Sequence, residues 1–154
     1  MPLGRNRLRG YVDANVILSG VATDNPHAAS RVVLVASELT LLDLVANERA
    51  IEECNRNLKQ FVKDEAQLRE LEELLRDVVS RSVEVVETPP AGERPSVPGA
   101  DPKDLVHLLS AAEHGCDYLI TLNTKDFPES YKGTTIVEPG TLVKRIREQI
   151  KGLS

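Results

Sequence analysis

Short apolar runs alternate with segments whose apolar residues repeat at helical spacing, and this alternation constrains the chain more than any other feature. Residues 7–13, 39–44, 82–86, 117–121 and 134–138 are too short and too apolar to be surface helices, and they read as buried strands. Between them, residues 16–21 suggest a short helical turn. Asn25 with Pro26 suggests the cap and first residue of a helix reaching Glu38. Asn47 caps a further helix with Ala50, Ile51, Cys54 and Leu58 on one face. Residues 63–80 form an amphipathic helix whose stripe is Leu68, Leu71, Leu74, Leu75 and Val78. Residues 103–114 predict a helix closed by Gly115, and residues 141–151 predict the last one. Residues 88–102 hold five of the nine prolines and read as a loop, either a flap over a site or plain surface.

Strands that are continuous apolar runs, each followed by a helix, fit a parallel sheet covered on both faces. The expectation is an α/β fold, a three-layer α/β/α sandwich around a central parallel sheet of about five strands. At 154 residues the chain fits a single domain, residues 1–154. Aromatic residues are only 3%, so the core must be aliphatic. Cys54 and Cys116 stand far apart in no metal-binding pattern, which suits reduced thiols in a cytoplasmic protein. No apolar run approaches the ~20 residues of a membrane span, and no signal peptide follows Arg5, Arg7 and Arg9. The net charge of −5 argues against a protein that coats nucleic acid over its whole surface. A nuclease remains compatible, because an acidic site lowers net charge and bound cations offset it locally.

Ligands gather at the carboxyl ends of strands in such a sheet. Asp13 and Asn15 follow the first strand, and Asn123 and Asp126 follow the fourth. Asp101 and Asp104 stand where the proline-rich loop meets its helix, and Glu52 and Glu53 lie on the helix after the second strand. Singly, each acid reads as a turn, cap or solvated residue. Together they can converge, and converging carboxylates repel unless a cation lies between them. Hard oxygen donors point to Mg²⁺ or Mn²⁺. His27, His107 and His114 are scattered, with His107 and His114 reading as helix-surface residues, so no zinc cluster is expected.

These segments resemble the PIN domain, the metal-dependent ribonuclease fold of VapC-type toxins and many RNA-processing nucleases. VDANVILSG is similar to the family's opening motif, and VANERAIEECNRNL to its second, where a helical glutamate stands five before an apolar residue. That spacing selects Glu53, five before Leu58, over Glu52. DPKDLVHLLSAAEHGCDYLITLNTKDF resembles the third and fourth motifs. Many members carry aspartate two residues after the motif's threonine, here Thr121. This chain has Asn123 there and resembles a subgroup in which the later acid, here Asp126, completes the set.

The resemblance implies hydrolysis of RNA phosphodiester bonds, with Asp13, Glu53, Asp104 and Asp126 as catalytic, metal-holding carboxylates. It casts Asp13 and Asp104 as direct ligands, and Glu53 and Asp126 as holders of a second ion or of water. Asn15, Thr121, Asn123 and Asp101 become supporting groups. Arg5, Arg7, Arg9, Lys125, Lys132, Lys144, Arg145 and Arg147 are candidate contacts to RNA. Partners implied are RNA, an antitoxin protein and a second copy in a homodimer. Two other readings compete. An aspartyl-phosphate phosphatase would want aspartate where this chain has Asn15, and a non-catalytic PIN-like module would bind RNA or protein without cutting.

Overall fold

A computed structural model of the chain describes residues 8–39, 41–90, 92 and 94–152. Its elements run β1 (Leu8–Val12), α1 (Ala14–Ala22), α2 (Ala29–Glu38), β2 (Leu42–Asn47), α3 (Glu48–Asn57), α4 (Glu65–Ser82), β3 (Val83–Val86), α5 (Leu105–Glu113), β4 (Tyr118–Ile120), β5 (Ser130–Tyr131), β6 (Thr134–Val137) and α6 (Pro139–Lys151). Among the described residues the sheet has six strands, in the order β3-β2-β1-β4-β6-β5. All neighbours pair in parallel except β5 with β6. The three-layer α/β/α architecture expected from the alternation is therefore present.

Alternate side chains of the strands feed two cores, as the two-residue period of a strand requires. Val12, Leu44, Ala46, Ile120 and Val137 pack with residues of α1, α2, α3, α4 and α6. Tyr11, Val45 and Leu119 face the other way and pack with Leu105, Leu108 and Ala111 of α5. In α4, Leu71 and Leu75 are buried and Leu68, Val78 and Val79 pack against the first core, so most of the predicted stripe serves the interior.

Several boundaries differ from expectation. The second strand is residues 42–47, not 39–44, because α2 runs on to Glu38 and Leu39 forms its exposed end. Asn47 is both the last residue of β2 and the cap of α3, its side chain accepting from the Ala50 N–H. Asn25 does not cap α2. Its side chain accepts from His27 N in a local turn, and the helix starts at Ala29 without a side-chain cap. Asp64 caps α4, so this helix runs from Glu65 to Ser82. The sixth strand, β5, has only two residues and escapes any periodicity argument. Lys132 (φ 47°) and Gly133 (φ 87°) make its tight turn into β6. Gly115 takes a left-handed conformation (φ 64°) and closes α5 as expected.

The chain leaves β1 toward β2 on one side and returns to β4 on the other. The carboxyl ends of β1 and β4 thus border the point where strand order reverses, which is where a crevice opens in such sheets. Arg9, at the opposite end of β1, bonds Glu84 and the His114 carbonyl. Arg145 lies over the Tyr118 ring at the start of β4. Lys132 precedes β6 and also sits at that far end. Arg9, Lys132 and Arg145 therefore sit away from the crevice, contrary to their expected role, because Arg9 and Lys132 lie at the amino ends of parallel strands and Arg145, on α6, lies over the ring that opens β4. Arg5 and Arg7 lie outside the described residues. No helix among the described residues is long and apolar enough to cross a membrane.

Candidate metal centre

At the reversal point a cleft of about 440 Å³ opens, lined by Asp13, Glu53, Asp104 and Asp126 among others. These four acids come from four separate segments. Asp13 follows β1 and caps α1, Glu53 lies in the middle of α3, Asp104 caps α5, and Asp126 ends a 3-10 turn after β4. Glu52 is exposed and does not line the cleft.

Asp13 is nearly buried, at 6% exposure, and its carboxylate is held on both oxygens. Oδ1 accepts from the Ala14 N–H at 2.7 Å, and Oδ2 accepts from the Thr121 hydroxyl at 2.9 Å. Thr121 in turn accepts from the Asn123 N–H at 3.1 Å. The Asn15 amide lies 3.5 Å from both Asp13 Oδ2 and Thr121 Oγ1, and its carbonyl accepts from Leu122 N–H at 3.2 Å. Thr121, Asn15 and Asn123 thus tie the ends of β1 and β4 together behind Asp13. Asp101 takes no place in the cleft lining. Its side chain accepts from Lys103 N–H, and its own N–H bonds the Asp126 carbonyl at 2.8 Å. Carboxylate oxygens of Asp101, Asp104 and Asp126 nevertheless lie within 4.8 Å of one another.

The described residues of the 88–102 loop do not line the cleft. Its ends are anchored instead, Thr88 accepting from Arg49 N–H and Asp101 reaching Asp126. Of the described basic candidates, Lys125 adjoins the cleft through the turn it shares with Asp126. Phe61, 48% exposed, and Leu122, 46% exposed, put apolar surface into the cleft, with the amides of Asn57 and Gln60 nearby.

His107 overturns its expected place on the helix surface. It is fully buried, and its Nε2 lies 3.2 Å from Glu53 Oε1. Its Nδ1 lies 2.7 Å from the Tyr11 hydroxyl, which also takes the Asn47 N–H at 3.3 Å. The helical positions of His107 and Asp104, three apart, put both on one face, and this was the one signal in the sequence. Knowing that the face turned inward required the packing of α5 on the sheet. Tyr11 and Asn47 carried no signal of their own.

The electrostatics express the crowding. Burial, then the charges of Asp13, Asp126 and Asp101, push the Asp104 carboxyl up to about 6, against a smaller pull from His107. Burial also raises Asp13, with His107, Thr121 and Ala14 resisting. Glu53 goes the other way. Burial would raise it, but the hydrogen bond and charge of His107 and the charges of Arg49 and Arg56 hold it below the ordinary glutamate value. Ionised carboxylates that crowd one another in a cleft, offering hard oxygen donors, fit a divalent cation.

The sequence profile of the PIN domain family matches residues 9–125. No curated protein matches the chain. The profile spans all of the chain from β1 into the 3-10 turn after β4, and the chain belongs to the PIN domain family, whose members are generally nucleases.

Proposed function

We propose that this PIN-domain protein is a metal-dependent endoribonuclease, with Asp13, Glu53, Asp104 and Asp126 as its catalytic, metal-holding carboxylates. The observation that carries the reading is the meeting of four acids from four separate segments in one cleft. A Mg²⁺ or Mn²⁺ ion held there would lower the pKa of bound water, neutralise phosphate charge and orient an in-line attack. The chain's own groups supply the rest. Ala14 N–H and Thr121 hold the Asp13 carboxylate in one orientation, and Asn15 braces both. The anchor between Asp101 and Asp126 keeps the last acid against the start of α5. Phe61 and Leu122 offer apolar surface to bases of an unpaired strand, while Lys125 supplies a cation at the rim.

The reading extends to a cytoplasmic toxin whose cleft an antitoxin protein covers, and to a homodimer. The exposed apolar residues Val35, Leu39, Leu41 and Ile150, gathered where α2 faces α6, support a protein contact on that side.

The test is cleavage of a mixed set of labelled RNAs with Mn²⁺, with Mg²⁺ and with EDTA, beside an Asp13→Asn/Asp104→Asn double variant. Cutting is expected only with metal and only by the natural protein. An Asp13→Asn protein that still cut at the natural rate under Mn²⁺ would sink the assignment of Asp13. Absence of both cutting and Mn²⁺ binding would favour a module that binds without catalysis.

A further inference from the structure

Asp13, Glu53 and His107 each offer a ligand atom within 4.8 Å of the others, so His107 has two conceivable roles. It could bind the cation directly, or it could act on the cation through Glu53. We propose the second: His107 is a positioning residue that holds the Glu53 carboxylate by a proton on Nε2, leaving a cation centre of oxygen donors only. This rests on the metal-dependent reading above.

The argument is one of donors and lone pairs. The Tyr11 oxygen accepts the Asn47 N–H and stands 2.7 Å from His107 Nδ1. A phenol keeps its proton at neutral pH, so the Tyr11 hydroxyl, 2.7 Å away, has one to offer Nδ1. With Nδ1 accepting, neutral imidazole must carry its proton on Nε2, which then donates to Glu53 Oε1 at 3.2 Å. A doubly protonated ring also donates from Nε2 to Glu53. Only the remaining tautomer frees the Nε2 lone pair for a metal, and it would set that lone pair against a carboxylate oxygen. Both partners of Glu53, His107 at 3.2 Å and Arg49 at 3.6 Å, fall on Oε1, which leaves Oε2 for the cleft. The path from Asn47 through Tyr11 and His107 to Glu53 is buried as far as the histidine. A ring locked at both nitrogens cannot turn, and its donor fixes a carboxylate on α3 from the opposite core layer.

The experiment uses the full chain stripped with EDTA and titrated with Mn²⁺ by calorimetry, and pulsed electron resonance of the bound Mn²⁺. The variants are His107→Gln, whose amide reaches about the place of Nε2, and His107→Asn, which reaches only the place of Nδ1. The Gln variant is expected to bind Mn²⁺ nearly as the natural protein does. The Asn variant is expected to weaken binding about tenfold or more, the usual cost of losing a carboxylate's orienting partner. Bound Mn²⁺ is expected to show no imidazole nitrogen coupling. That measurement needs only the natural protein, so a variant that fails to fold leaves the proposal exposed. Nitrogen coupling in the natural protein would make His107 a ligand and overturn the proposal. Unchanged affinity in a folded His107→Asn protein would overturn it as well, and would leave the histidine a packing role. Failure of the natural protein to bind Mn²⁺ at all would remove the metal-dependent reading itself, and this role with it.

Discussion

Asp104→Asn should stabilise the metal-free protein at neutral pH. The folded pKa of Asp104 is raised from 3.8 to about 6, first by burial and then by Asp13, Asp126 and Asp101. The fold therefore prefers the protonated acid. Stability is unaffected below the unfolded value, falls as pH rises from 3.8 to 6, and stays lower above that. Shifted by this much, a fully buried acid would cost about 3 kcal/mol. Asp104 is half open to the cleft, and screening by water reduces the cost to about 1 kcal/mol. Asparagine keeps the shape and removes the charge, and no capping bond is lost because the Asp104 side chain makes none. For a domain of this size the gain is about 3 °C in Tm. The assay is thermal unfolding in EDTA at pH 7.5 and at pH 3.5, with natural and variant proteins in parallel. The gain should appear at the higher pH and vanish at the lower. Added Mn²⁺ should reverse the order at pH 7.5, since the natural protein gains a ligand that the variant lacks. A variant less stable than the natural protein by the same amount at both pH values would refute the reasoning. Its effect would then come from packing and not from crowded charge.

Asn47→Ala should cost about 2–4 kcal/mol in urea unfolding, because it strips the α3 cap and leaves the Ser110 hydroxyl and Val106 carbonyl without their buried partner. Gly20→Ala should cost about 1–3 kcal/mol, since the added methyl would stand 2.8 Å from the Ser30 carbonyl oxygen, a backbone atom of α2 that cannot easily give way. By contrast, Gly140→Ala in the first turn of α6 meets nothing within 4 Å and should stabilise by about 0.5–1 kcal/mol.

Much of the fold could be read from the sequence, because local composition carries it. Five of the six strands and most helices follow from apolar runs and helical stripes, since burial selects residue type along each element. Boundaries failed where one residue serves two elements. Asn47 ends a strand and caps a helix, and Leu39 looks like a strand residue but finishes α2. The two-residue β5 is too short for any period to register.

The acids could be read for a different reason. A carboxylate just after an apolar run lies at a strand's carboxyl end whatever the details of packing, and parallel order brings such ends to one edge. Residue order along the chain thus determined that Asp13, Asp104 and Asp126 stand at element ends, and the motif spacing chose Glu53 over Glu52 on its helix. Which of the charged residues reach that edge depends on the strand end they flank. Arg9 and Lys132 flank amino ends and Arg145 lies over the start of β4, whereas Lys125 follows the carboxyl end of β4. The tertiary structure alone decided the placement of His107. A histidine three residues past an acid looks the same on a solvated face as on a buried one, and only the docking of α5 on β1 and β2 puts its two nitrogens between Tyr11 and Glu53. Hydrogen-bond partners 54 and 96 residues apart leave no local pattern, because the contacts that join them exist only once the layers have packed.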